Sequence, residues 1–366
     1  MKKIGIITLT GNKNFGNKLQ NYALQEYLKK FKIENETIKN YTISNNTESC
    51  IKILIKITIR KIKNILKFIL KKDERIRIKR EKKFKEFNIN INYCKKTITL
   101  KNSKKFNNFY DYFITGSDQV WNPKFYALTE IETLAFANEE KRISYAASFG
   151  LSEMPSKYEK NIKKYIKNFK AISVRENTGK EIIEKITGRD DAEVVVDPTM
   201  LLEKEDWENI IKKPEKMKNE QKYILVYFLG NMQDEQKQDI QKFAKEYNYE
   251  IINILDINSK YYVSGPSEFL WFEKNATLIC TDSFHAAVFA IIYNVPFIVF
   301  KREVRNNNNM SSRIDNLLSK FKLEERYYNG QITEDCLKCD YSNAMEILKE
   351  EKEKSKKFLK NAMDIK

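Results

Sequence analysis

Two successive sets of short apolar runs, each alternating with segments of helical spacing, constrain this chain more than any other feature of its sequence. In the first set the runs fall at residues 4–9, 112–115, 143–147, 171–174 and 194–196. Between them, Leu19, Ala23, Leu24 and Leu28 recur at helical intervals within 17–31, and residues 158–168 show the same pattern. Strands that alternate with helices predict a mostly parallel sheet covered on both faces, because parallel neighbours are joined only through crossovers. A charged, poorly patterned stretch at 203–221 interrupts the series. The second set then reads strand 223–229, helix 234–247, strand 251–255, helix 267–275, strand 277–281, helix 284–293 and strand 296–300. An amphipathic helix at about 341–363 closes the chain.

The expected fold is α/β, with two Rossmann-like domains facing one another across a cleft. Their expected spans are 1–205, carrying a basic helical insert at 51–85, and 206–340, followed by a C-terminal helix at 341–366. A length of 366 residues suits two such cores. Ligands of open α/β sheets bind beyond the carboxyl ends of the strands, so residues that follow strands are the candidates for chemistry.

Composition narrows the classes further. With 42% hydrophobic and 32% charged residues, the chain is expected to fold as a globular protein rather than remain disordered. No run of about 18 or more uncharged apolar residues occurs, so no segment reads as a membrane span. Residues 1–17 read as a first strand and its loop rather than an export signal. Five cysteines, Cys50, Cys94, Cys280, Cys336 and Cys339, form an odd set that suits a reducing compartment. The expected location is therefore cytoplasmic, soluble or peripheral at the inner face of the membrane. Cys336 and Cys339 make a single C-x-x-C with no second pair and no histidine nearby, which is a poor metal or redox signature, and no metal site is expected.

The net charge of +17 is concentrated. Residues 52–85 hold fifteen Lys or Arg against Asp73, Glu74 and Glu81, so twelve of the seventeen net charges fall there. Within 51–72, Ile51, Leu54, Ile55, Ile62, Ile65, Leu66 and Ile69 share one helical face, and Lys52, Lys56, Lys63 and Lys67 populate another. Such a helix suits either the surface of an anionic membrane or packing on its own domain with a solvated basic face. Charge alone supports a nucleic-acid partner, and no recognition motif accompanies it, so none is expected.

Four strand-end motifs carry the candidate residues. In GNKNFGN at 11–17, Gly11 and Gly16 flank a turn between strand and helix where bare N–H groups can face an anion, although the Walker A lysine is missing. GSDQVWNP at 116–123 follows a strand and offers Asp118 as a proton acceptor, Gln119, and Trp121 as an apolar face for a sugar ring; a turn cap and a core tryptophan are the alternatives. Arg175 ends the strand at 171–174 with a planar fork suited to carboxylate or phosphate, or pairs with a neighbour such as Glu176. TDSFHAAVFA at 281–290 sets Asp282 and Ser283 at a helix N-cap and His285, the chain's single histidine, in the first turn. There it can share in anion binding and exchange protons near neutral pH. Lys301, Arg302, Arg305 and Arg313 follow on the same edge.

Taken in order, NFGNKLQNYALQEYL, FITGSDQVWNP, ISYAASFG, AISVREN, VVVDPTML, GPSEFLWFEKNATLICTDSFHAAVFAIIYNVPFIVF and MSSRIDNLL resemble the polysaccharide pyruvyltransferase family over most of the chain outside the basic segment. The resemblance implies a fold like that of the GT-B glycosyltransferases. It implies transfer of the enolpyruvyl group of phosphoenolpyruvate to a sugar of a cell-surface polysaccharide precursor, as a pyruvate ketal with release of phosphate. It also implies no cofactor beyond phosphoenolpyruvate as co-substrate, and a sugar acceptor that is lipid-linked or nucleotide-linked. The family's general acid falls on His285, with Asp118 as the second catalytic candidate, and its strand-end arginine falls on Arg175 as a donor ligand. Ser283 stands where some members carry an arginine, so Arg302 or Arg313 is expected to restore that charge at the donor. Gly16, Asn17, Gln20, Gln119, Trp121 and Asp282 are assigned to the acceptor or the cleft. The alternative is a GT-B-type glycosyltransferase that uses a nucleotide sugar.

Overall fold

The computed structural model describes residues 2–11, 13–40, 72–123, 128–218, 221–302 and 312–365. Cys50, Arg305 and nearly all of the amphipathic helix expected at 51–72 lie outside these residues. Seven strands form the first sheet: β1 (Lys3–Ile7), β2 (Glu34–Asn40), β3 (Tyr93–Ile98), β4 (Tyr112–Thr115), β5 (Arg142–Ala147), β6 (Ala171–Val174) and β7 (Glu193–Val194). Their spatial order is β3-β2-β1-β4-β5-β6-β7, and every neighbouring pair is parallel. The second sheet holds β8 (Tyr223–Tyr227), β9 (Glu250–Asn253), β10 (Leu278–Thr281) and β11 (Phe297–Val299) in the order β11-β10-β8-β9, again parallel throughout. Each order reverses beside its first strand, between β1 and β4 and between β8 and β10, which opens a crevice at the carboxyl ends.

The helices are α1 (Phe15–Lys30), α2 (Lys72–Glu86), α3 (Ser103–Phe106), α4 (Ser156–Ile166), α5 (Asn177–Thr187), α6 (Lys204–Glu208), α7 (Asp234–Glu246), α8 (Pro266–Asn275), α9 (Phe284–Tyr293), α10 (Ser312–Phe321) and α11 (Ser342–Ala362). Central strands such as β8, YILVY, are buried along their whole length, as expected where helices cover both faces of a parallel sheet. β2 and β3 were absent from the sequence reading. The β2 sequence ENETIKN is mostly polar, yet Asn35 and Thr37 are buried. Asn21 and Gln25 of α1 supply their partners, with Thr37 Oγ1 donating to Asn21 Oδ1 (2.6 Å) and Gln25 Nε2 donating to Thr37 Oγ1 (2.8 Å). α1 also begins two residues earlier than its apolar spacing suggests, because Asn14 accepts from the Asn17 N–H (3.3 Å) and caps the helix there.

α9, FHAAVFAIIY, is apolar on every side and buried from Phe284 to Ile292, so it can only be an interior helix. One continuous core runs from β1 and α1 through α8 and α9 to α11, and the two sheets therefore share an interior. α11 returns from the second sheet to the first. Tyr341 OH donates to the Val295 carbonyl at its start, and further along Ser355 Oγ accepts from the Val196 N–H (3.2 Å) and Lys352 pairs with Glu203 (2.7 Å).

Candidate active site

Two helix N-termini meet at the carboxyl ends of the two sheets, α1 after β1 and α9 after β10, and between them lies a cleft of about 210 Å³. Leu9, Asn14, Asn17, Asp118, Gln119, Leu229, Ser283, Phe284, His285, Arg302 and Arg313 line it. The first N–H groups of each helix have no partner within the helix and carry its positive end, so the backbone alone gives the cleft a field that favours negative charge. The motifs at 11–17, 116–123 and 281–290 thus converge, as does the basic edge that contains Arg302 and Arg313.

On the second sheet, Asp282 draws three strand ends together. Its carboxylate accepts from the Leu229 N–H (2.6 Å) and the Gly230 N–H (2.8 Å) after β8, and from Arg302 Nε (2.8 Å) after β11. Arg302 Nη2 also donates to the Asp282 carbonyl (2.9 Å). Asp282 was expected among ligand-binding residues; its oxygens are already occupied, and it acts as a bracket that holds Arg302 at the rim. Ser283, at the N-cap position with extended backbone, leads into His285. The His285 imidazole is 6% exposed, and its Nε2 has no hydrogen-bond partner among the described residues. Across the cleft, the ring lies so close to Gly16 that a Cβ there would stand 2.1 Å from Nδ1. Gly16 is the wall of the histidine's pocket, and this close approach explains why a glycine occupies the first turn of α1.

The first sheet contributes a buried lattice of charge. Arg175, at the end of β6, donates from Nη1 to Asp197 Oδ2 (3.0 Å) and from Nη2 to Asp118 Oδ1 (3.1 Å), and its guanidinium lies 4.3 Å from the Phe284 ring centroid. It does not line the cleft. Arg175 was expected to hold the donor; here its fork is shared by two buried carboxylates. Burial pushes both carboxyls up, but the nearby charges outweigh it. Asp118 is held below its ordinary value by Arg175, His285 and Arg313, and Asp197 far below by His285, Arg175 and the Thr199 N–H. Asp118 therefore sits among three cationic partners as their counter-ion.

Asp197 was not among the residues singled out from the sequence. Its Oδ2 lies 3.8 Å from His285 Nε2, which is charge proximity rather than a formed hydrogen bond, and also accepts from Ser117 Oγ (2.7 Å). The signal was present in VVVDPTML, where an aspartate ends a strand run at 194–196 and precedes proline. Asn14 was passed over too, although an asparagine ahead of a helix is a capping signal.

Two other assignments are corrected. Trp121 is fully buried, packs edge-on against Phe169, and donates from Nε1 to the Glu132 carbonyl (3.2 Å). It belongs to the core on the outer side of the first sheet and presents no face to the cleft. Three residues earlier, Asp118 takes a left-handed backbone (φ 65°). Gln20 is also fully buried; it donates to Thr8 Oγ1 (2.8 Å) and accepts from the Ser117 N–H (3.1 Å), bracing the cleft floor. Asn17, Gln119, Ser283, Arg302 and Arg313 remain at the cleft surface. Arg313 is the least occupied of the arginines. With its oxygen toward Arg313, the Gln119 amide accepts from both terminal nitrogens at 3.1 Å, Asp118 stands 3.7 Å away, and Nε is unpartnered among the described residues. Burial and the nearby Arg175 pull its pKa down to about 10.

Known structures share this architecture. A putative UDP-N-acetylglucosamine 2-epimerase from Listeria monocytogenes superposes with a TM-score of 0.51 at 11% identity, covering 97% of this chain and 90% of the other. The UDP-GlcNAc 2-epimerase of Methanocaldococcus jannaschii aligns at 13% identity with a TM-score of 0.43, covering 95% and 98%. The fold is GT-B-like. No curated protein matches the sequence. The family model for polysaccharide pyruvyl transferase matches residues 14–303, which contain α1, the charge lattice, His285 and Arg302. The chain therefore belongs to the polysaccharide pyruvyl transferase family and is a transferase.

Proposed function

We propose that this protein moves the enolpyruvyl group of phosphoenolpyruvate onto two hydroxyls of a sugar in a surface polysaccharide precursor, forming a pyruvate ketal and releasing phosphate. The observation that carries the reading is His285: an imidazole whose Nε2 has no hydrogen-bond partner among the described residues, at the positive end of a buried helix and beside Arg302 and Arg313 in the cleft.

In this reading protonated His285 gives its proton to the methylene carbon of the enol, and the adjacent carbon becomes cationic. One sugar hydroxyl bonds to that carbon, the carbon–oxygen bond to phosphate breaks, and the second hydroxyl closes the ketal. Two hydroxyl protons are released; one returns to the imidazole and the other leaves with phosphate, so no oxidant or reductant enters the balance. The Asp197 carboxylate stands 3.8 Å from Nε2 and faces the ring across the floor of the cleft. Arg313 is better placed than Arg302 to supply the charge absent at Ser283, because Arg302 is tied to Asp282 by three hydrogen bonds.

The test is incubation with phosphoenolpyruvate and lipid-linked or nucleotide-linked sugar acceptors, following phosphate release and a matching gain of pyruvate mass on the sugar. Phosphate release without that gain of mass would overturn the reading. Protection of the protein by a nucleotide sugar, and not by phosphoenolpyruvate, would replace it with glycosyl transfer.

A further inference from the structure

α2 is the described C-terminal part of the basic segment, and it packs on both domains, with Phe84 against Phe15 of α1 and Lys83 paired with Glu268 of α8. Its Arg80 is 7% exposed and has no carboxylate partner among the described residues. Instead Nη1 donates to two carbonyls of the second domain, Ile254 (2.6 Å) and Tyr262 (2.7 Å). The guanidinium lies over the rings of Tyr262 (4.7 Å) and Phe15 (4.9 Å). Burial pulls its pKa down, with partial compensation from Tyr227 and Tyr262, so the folded protein bears the cost of a desolvated cation. A surface tie between domains would not need this arrangement; Lys83, one turn along, already makes an ordinary ion pair with Glu268 (3.0 Å).

What Arg80 closes around is Phe15, the first residue of α1. That ring is stacked between Phe84 of α2 (4.9 Å, 18°) and Phe269 of α8 (4.6 Å, 10°). The next residue is Gly16, whose backbone forms the wall against the His285 ring. Close-packed interiors transmit small displacements. A change in the seat of Phe15 is therefore a change in the wall that fixes the imidazole.

We infer that Arg80 is a positioning residue for His285, acting across the domain interface through Phe15 and Gly16. The inference rests on the proposed role of His285 for its kinetic consequence, but its structural part stands without that role. With one histidine in the chain, the imidazole signals in a nuclear magnetic resonance spectrum need no assignment. Arg80→Met retains much of the side chain's length and removes the charge and the hydrogen bonds. In this variant the His285 signals should shift and broaden as the ring samples more than one rotamer, while circular dichroism stays that of the parent. With phosphoenolpyruvate as substrate, kcat should fall on the order of tenfold and KM should change less than twofold, because the arginine orients the acid and does not touch the donor. Arg80→Lys should recover part of the loss. If Arg80→Met folds poorly, Phe15→Leu makes the same measurement at the next link. Imidazole signals that superimpose on the parent's in a folded variant would overturn the inference, whether or not turnover is detected. Displaced signals with unchanged kcat would leave the positioning intact and count against His285 as the acid.

Discussion

The two domains bury carboxylates by opposite means. Beneath the first sheet's carboxyl edge, Asp118 and Asp197 are kept ionised by Arg175, whose fork they share at 3.1 and 3.0 Å. In the second domain, Glu273 of α8 is fully buried with neither oxygen hydrogen-bonded among the described residues, and burial alone pushes its carboxyl well above the usual range. The first arrangement is a fixed field of charge; the second is a neutral acid inside a core. The former sets an ionised carboxylate 3.8 Å from the His285 ring, at the floor of the cleft. The latter has no evident link to the cleft, and its cost should appear only in stability.

The largest effect should come from the residue between these regions. His285→Ala is expected to reduce phosphate release on the order of 10³-fold while leaving the circular dichroism spectrum unchanged. A residual rate close to the parent's would remove the imidazole from the chemistry. Next, Arg175→Met should act on stability rather than on donor affinity, since it strands two buried carboxylates. A loss of about 3–5 kcal/mol is expected in urea unfolding. Arg313→Met should do the reverse, raising the apparent KM for phosphoenolpyruvate on the order of tenfold with a small change in stability. If the two arginine variants exchange these behaviours, the division of roles drawn from their partners is wrong.

The smallest effect is a matter of pH. Folded Glu273 keeps a proton that the unfolded chain releases above a pH of about 4.3, so its contribution to stability declines as pH rises from there toward the elevated folded pKa. Glu273→Gln should therefore gain stability over the parent at pH 8 and gain little at pH 4, read by thermal unfolding at both. The paired aspartates run the other way. Their depressed values mean that their stabilisation is complete above about pH 4 and is lost as the pH falls through the folded pKa values. Parent and Arg175→Met should accordingly converge in acid.

How much could be seen in advance follows from the same physics. The apolar run of β1, the apolar spacing within α1 and the all-apolar α9 were legible because their burial is written in their own side chains. β2 was not, since its buried Asn35 and Thr37 depend on polar partners from α1. Within the cleft, the rule that candidates follow strands picked out His285, Arg302, Arg313 and Gln119, which line it together. The same rule failed for Trp121, whose ring is taken up by the core around Phe149 and Phe169. It did not foresee the pairing of Arg175, which depends on carboxylates that follow two other strands, one of which, Asp197, had not been singled out.

The contact between Gly16 and the His285 ring has a consequence for descent. Any side chain at position 16 would occupy the space of the imidazole. A substitution there therefore cannot become fixed independently of what stands at 285. Among chains that share this fold, a residue other than glycine at the first position should be accompanied by a residue other than histidine at the second. The two sites, on different domains and far apart in sequence, should be inherited as one character.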